Sequence, residues 1–141
     1  MNTFSIGNTQ IDLPPFLKTR DDDATLVAYP PKTDFANLRF TVITVSKNGN
    51  YVSGAGIGIV RERAEKGQFT LHESDDKIWY YTSQPSSEGS PDSTIHYWYV
   101  GLDAHVLIVS CFIDAAEGTN PLTKQVWESV IPTITSFRAA Q

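Results

Sequence analysis

The chain has 141 residues, 40% hydrophobic and 19% charged, with a single cysteine and a net charge of −5. That balance excludes a disordered chain, a disulfide-stapled module and a basic nucleic-acid-binding surface, and no run approaches the ~18 apolar residues of a membrane-inserted helix. The size is that of one domain, residues 1–141, long enough to hide roughly two-thirds of its unfolded surface.

In chain order, Phe4–Ile6 and Gln10–Leu13 read as short strands around a Gly7-Asn8 turn, closed by Pro14-Pro15. Asp21-Asp-Asp23 reads as a solvated turn, because calcium loops space their ligands at alternate positions and this run does not. Thr25–Tyr29 is a strand stopped by Pro30-Pro31. Asn37–Ser46 alternates Leu38, Phe40 and Val42 with Thr41, Ile43 and Val45, which predicts an interior strand covered on both faces. Lys47-Asn-Gly-Asn50 then turns the chain.

Gly54-Ala-Gly56-Ile-Gly58 lacks the spacing of a dinucleotide fingerprint, and its glycines argue against helix at that point. Val60, Arg61 and Ala64 then fall at helical spacing, so a short helix is expected over about 57–66, with Gly67 at its end. Strands follow at Phe69–Glu73, Ile78–Gln84, Thr94–Leu102 and His105–Ile113, with Pro85–Ser93 as an exposed, mobile loop. Asn120-Pro121 opens a helix with the apolar stripe Val126, Trp127, Val130, Ile131 and Ile134, which Pro132 must bend or restart. The sum is an α+β domain: a mostly antiparallel sheet of five or more strands, flanked by a short middle helix and a C-terminal amphipathic helix.

No catalytic motif stands out, and His72, His96 and His105 have no metal-ligand spacing, so neither a metal nor another cofactor is expected. One pair could still carry chemistry. If Asp103-Ala104 is a two-residue turn, His96 opposes Cys111, Trp98 opposes Val109 and Val100 opposes Leu107. A Cys beside a His is a candidate nucleophile, but the apolar neighbours on that face place the pair under the core.

The aromatics are the stronger signal. Six of the sixteen fall within residues 79–81 and 97–99. Tyr and Trp are favoured at protein interfaces, since they bury much area and keep a polar handle. Trp79, Tyr81, Tyr97 and Tyr99 are therefore the expected anchors for a protein partner, ringed by Asp75, Asp76, Glu88 and Asp92. Residues 1–66 hold eight Lys/Arg against seven Asp/Glu, whereas residues 67–141 hold three against nine, a sum of −6. Such a surface repels nucleic acid and steers a basic protein. The lone thiol, and a start without a basic stretch leading into an apolar run, make the cytoplasm the expected compartment.

Ile11-Asp-Leu-Pro14, Leu38–Val45, His105–Ile113 and Val126–Phe137 lie in an order that resembles the PsbP-like superfamily. The resemblance spans nearly the whole chain but rests on layout, with no invariant motif. It implies a binding protein rather than an enzyme, for bacterial members of that superfamily include type VI secretion immunity proteins and EagR effector chaperones. Three functions are thus expected in descending order: an immunity protein that binds a basic toxin, an EagR-like chaperone, and a small enzyme using His96 and Cys111.

Overall fold

The computed structural model describes residues 1–31 and 35–140. Two short strands, β1 (Asn2–Ile6) and β2 (Thr9–Leu13), form a hairpin that β12 (Arg138–Ala139) later joins. The main sheet has seven antiparallel strands in the order β3 (Lys18–Asp22), β4 (Thr25–Tyr29), β5 (Ala36–Thr44), β11 (His105–Ile113), β10 (Thr94–Leu102), β9 (Lys77–Pro85) and β8 (His72–Ser74). A minimal hairpin, β6 (Ser46–Lys47) and β7 (Asn50–Tyr51), turns at Asn48-Gly49, where both residues have positive φ. Helix α1 (Ala55–Gly67) packs on one face of the main sheet; α2 (Pro121–Glu128), α3 (Val130–Ser136) and the small sheet cover the other. The expected α+β architecture is thereby observed.

On the α2–α3 face, Leu38, Phe40, Val100, Leu107, Val109 and Cys111 meet Val126, Val130, Ile134 and Phe137 in one buried cluster, with Ile11 and Leu13 of β2. The C-terminal helix breaks at Ser129, and Thr133, one residue past Pro132, turns its hydroxyl back to the Ser129 carbonyl. Arg138 forks onto Asp12 at 3.1 and 3.2 Å, tying β12 to β2 and holding the Asp12 carboxyl below its ordinary range. On the α1 face, Val60 and Ala64 bury Ile78, Tyr80 and Val106.

The glycine run is part of α1, which starts at Ala55 and so two residues before its expected onset. The reason is a close approach. A Cβ on Gly56 would lie 2.3 Å from the carbonyl oxygen of His105, and one on Gly101 would lie 2.9 Å from Cα of Ile57. The first turn of α1 thus rests directly on the β10–β11 hairpin. Gly54 has no side chain to cap the helix, and Asp103 does that work from the hairpin turn. Its carboxylate accepts from the Gly54 N–H at 2.8 Å, and its carbonyl accepts from Gly56 and Ile57 at 2.8 and 3.2 Å.

One further expectation fails, and the expected exposure of another segment holds only in part. β5 is interior, but Arg39 and Ile43 on its second face are exposed, because α1 reaches only the β9–β11 part of the sheet. The loop after β9 is exposed at Glu88 and Asp92 but is docked at Ser90 and Ser93. Ser90 donates to the Asp114 carboxylate, and Ser93, almost fully buried, accepts from the Ala115 N–H at 3.0 Å. The Ser90 hydroxyl, with the Ala116 N–H at 3.0 Å, holds the Asp114 carboxyl below its ordinary range.

Candidate binding site

Alternation along a strand sends neighbouring residues to opposite faces, and this decides where the expected anchors lie. Trp79 and Tyr81 oppose Val100 and Trp98, so they share the face covered by α2 and α3. Tyr97 and Tyr99 oppose Thr82 and Tyr80 and share the α1 face. The four anchors therefore do not form one patch. Tyr99 stacks on Tyr80 at 5.0 Å, Tyr80 on Phe69 at 4.9 Å, and the Arg63 guanidinium sits 5.1 Å from the Tyr99 ring, so this column cements α1 to the sheet. Tyr97, half-buried at its end, accepts from Gln84 at 3.3 Å. Trp79 is half-buried and stacks on His72 at 4.1 Å.

Nor do the four acids ring one patch. Asp75 and Asp76 form the β8–β9 turn, beside a polar cleft of about 360 Å³ that Arg61 and Glu73 also line, and Asp76 pairs with Lys77. Glu88 and Asp92 stand beyond the other end of β9, roughly 27 Å away for a nine-residue strand.

What the sheet does assemble is a different cluster, around Tyr81. Trp127 of α2 sets its ring 4.7 Å from His96, 5.4 Å from Trp98 and 6.3 Å from Tyr81, and the Tyr81 hydroxyl lies 2.6 Å from Nδ1 of His96. Trp98 is buried beneath, while Tyr81 and Trp127 remain 37% and 39% exposed. Ile131, at 46%, extends the apolar surface to the next turn. Burial lowers the His96 pKa, so this imidazole is a neutral aromatic neighbour at pH 7. The sequence placed Trp127 and Ile131 in the apolar stripe of the helix; both stand at its outer edge and are exposed, while Val126, Val130 and Ile134 are buried.

The hairpin register is the expected one, with His96 opposite Cys111. Cys111 is fully buried and its thiol is pushed up to about 12, whereas a nucleophilic cysteine needs access and a lowered pKa. No group of three or more His, Cys, Asp or Glu that could hold a metal occurs among the described residues. Nor is any helix among them long and apolar enough to cross a membrane.

The arrangement defines an α+β, PsbP-like fold. The solution structure of cyanobacterial PsbP (CyanoP) from Synechocystis sp. PCC 6803 superposes with a TM-score of 0.58 at 10% identity, over 98% of this chain and 91% of that one. A crystal structure from Bacteroides thetaiotaomicron VPI-5482 superposes with a TM-score of 0.68 at 12% identity, over 95% of this chain. This chain spans 46% of that protein's length. At such identities the likeness is one of fold. No protein-family model and no curated protein matches the sequence.

Proposed function

We propose that this chain is a non-catalytic protein-binding domain whose contact surface centres on Tyr81, His96 and Trp127. The observation that carries this reading is the partly exposed aromatic cluster, in which two rings stand at the surface on a buried tryptophan. Rigid aromatics of this kind give much contact area for little lost entropy and are common binding hot spots. Within that class the favoured task is immunity in the cytoplasm, neutralising an antibacterial toxin of type VI secretion. The acidic second half, three Lys/Arg against nine Asp/Glu, suits a basic toxin.

Co-expression with the product of the adjacent gene tests it. A complex should form, and Trp127→Ala should weaken it by about 2 kcal/mol, mainly through faster dissociation. Equal survival of toxin-expressing cells with and without this protein would remove the immunity assignment.

An EagR-like chaperone is the second reading. An apolar cleft of about 260 Å³, lined by Met1, Pro14, Phe16 and Pro132, favours it, with Ile131 exposed on the same helix. A chaperone would protect a hydrophobic effector segment and leave toxicity unchanged.

A further inference from the structure

The hairpin turns fix which main-chain groups of β9 are free. The β8–β9 turn closes on the opposed pair Ser74–Lys77, and the next hydrogen-bonded pair is His72–Trp79. The β10–β11 turn closes on Leu102–His105, so even-numbered residues of β10 bond to β11 and odd-numbered ones to β9. Both routes give one result: even residues of β9 bond to β10, and odd residues point outward. β8 ends at His72, opposite Trp79. Beyond it the N–H and C=O groups of Tyr81 and Ser83 face outward with no hydrogen-bond partner among the described residues. The segment before β8 does not cover them, for Phe69 stacks on Tyr80 across the α1 face.

The two edges of the main sheet differ in chemistry. β3, at the opposite edge, carries Lys18, Arg20, Asp21 and Asp22, charges that discourage strand pairing. Ile78-Trp-Tyr-Tyr-Thr-Ser-Gln84 carries none. Beyond Trp79 it is a β-forming edge left open beside the exposed rings of Tyr81 and Trp127.

We infer that the edge of β9 from Tyr81 to Pro85 is a strand-addition site for an extended segment of a partner protein, which continues the row of β8 along this stretch. This rests on the protein-binding reading above and gives its mode. Main-chain pairing at Tyr81 and Ser83 supplies the register. An apolar side chain opposite Tyr81 lies on the same face as Tyr81 and Trp127, and a Lys or Arg at the end nearest Glu88 and Asp92 completes the match. A second copy of this chain fits less well. A two-fold pairing of Tyr81 with Ser83 puts Pro85 opposite Trp79, on ground already held by His72, and one centred on Ser83 puts Pro85, which has no N–H, opposite Tyr81.

The test selects binders from a displayed library of random peptides about a dozen residues long and follows amide hydrogen exchange with the best of them. In the free protein, Tyr80 and Thr82 amides should be protected while Tyr81 and Ser83 exchange freely; the peptide should protect Tyr81 and Ser83. Ser83→Pro removes only an outward N–H, so the domain should keep its melting temperature while peptide affinity falls at least about tenfold. Should that variant misfold, the exchange pattern of the wild type decides alone. Tyr81 and Ser83 amides already protected in a dilute monomer would overturn the inference, as would a library yielding no binders. A dimer that protects them by itself would give the edge to a second copy and overturn it too. Binding that needs Trp127 yet leaves both amides exchanging would sink strand addition while keeping the protein-binding reading.

Discussion

Burial drives Cys111 and His96, opposed on neighbouring strands, toward their neutral forms from opposite directions. For the thiol this means inertness. Native protein should react with iodoacetamide far more slowly than denatured protein, and Cys111→Ser should leave binding intact; rapid labelling of the folded state would refute the burial. For the imidazole it means a pH dependence of known sign. Its folded pKa lies below the ordinary 6.5, so the unfolded chain binds more protons as pH falls through that value. The contribution of His96 is whole above pH 6.5 and is lost on acidification. Urea midpoints measured downward from pH 7.5 should therefore decline, and His96→Gln should flatten that part of the curve. An unchanged slope in the variant would show that other groups set it.

At the scale of elements, two glycines two positions apart, alike in kind but not in role, make the clearest experiment: Gly56 and Gly58 both lie in the first turn of α1, yet only one faces the hairpin. Gly56→Ala drives a methyl into the His105 backbone and should cost about 1–3 kcal/mol or displace the helix. Gly58→Ala meets nothing within 4 Å and should stabilise by up to about 1 kcal/mol. Equal effects in denaturant titrations would mean that α1 does not rest on the hairpin. The same glycines show what was legible in the sequence. Alternation made Thr94–Leu102 and His105–Ile113 legible as strands, and their register followed only on the condition that Asp103-Ala104 is a two-residue turn, which it is. Propensity argued against helix at Gly56, since the long-range contact that makes glycine necessary has no local signature. β3 was missed for a related reason: Lys18-Thr-Arg-Asp-Asp22 is an edge strand whose polarity is its protection, so it shows no apolar alternation. The aromatic run 79–81 was visible as a cluster, but only the strand register distributes it between two faces.

Across the whole molecule, α2 and α3 have two duties that a pair of substitutions separates. Their inner side closes the core: Val126, Val130 and Ile134 are at most 2% exposed and pack in the cluster that includes Leu107 and Cys111. Their outer side carries Trp127 and Ile131. Val130→Asp would bury a charge for which the apolar cluster offers no partner, a cost of several kcal/mol and comparable with the whole stability of a domain this size. The variant should lose its cooperative thermal transition and its near-ultraviolet dichroism. Trp127→Ala removes a ring already more than a third in water and should lower the melting temperature by only a few degrees, about 1 kcal/mol or less, while partner binding falls. The contrast matters more than either value. A folded Val130→Asp would mean that the helices are an ornament on a sheet stable without them. A Trp127→Ala variant that unfolds instead would mean that the exposed ring is a structural strut, and the binding surface would have to be sought at the β9 edge alone.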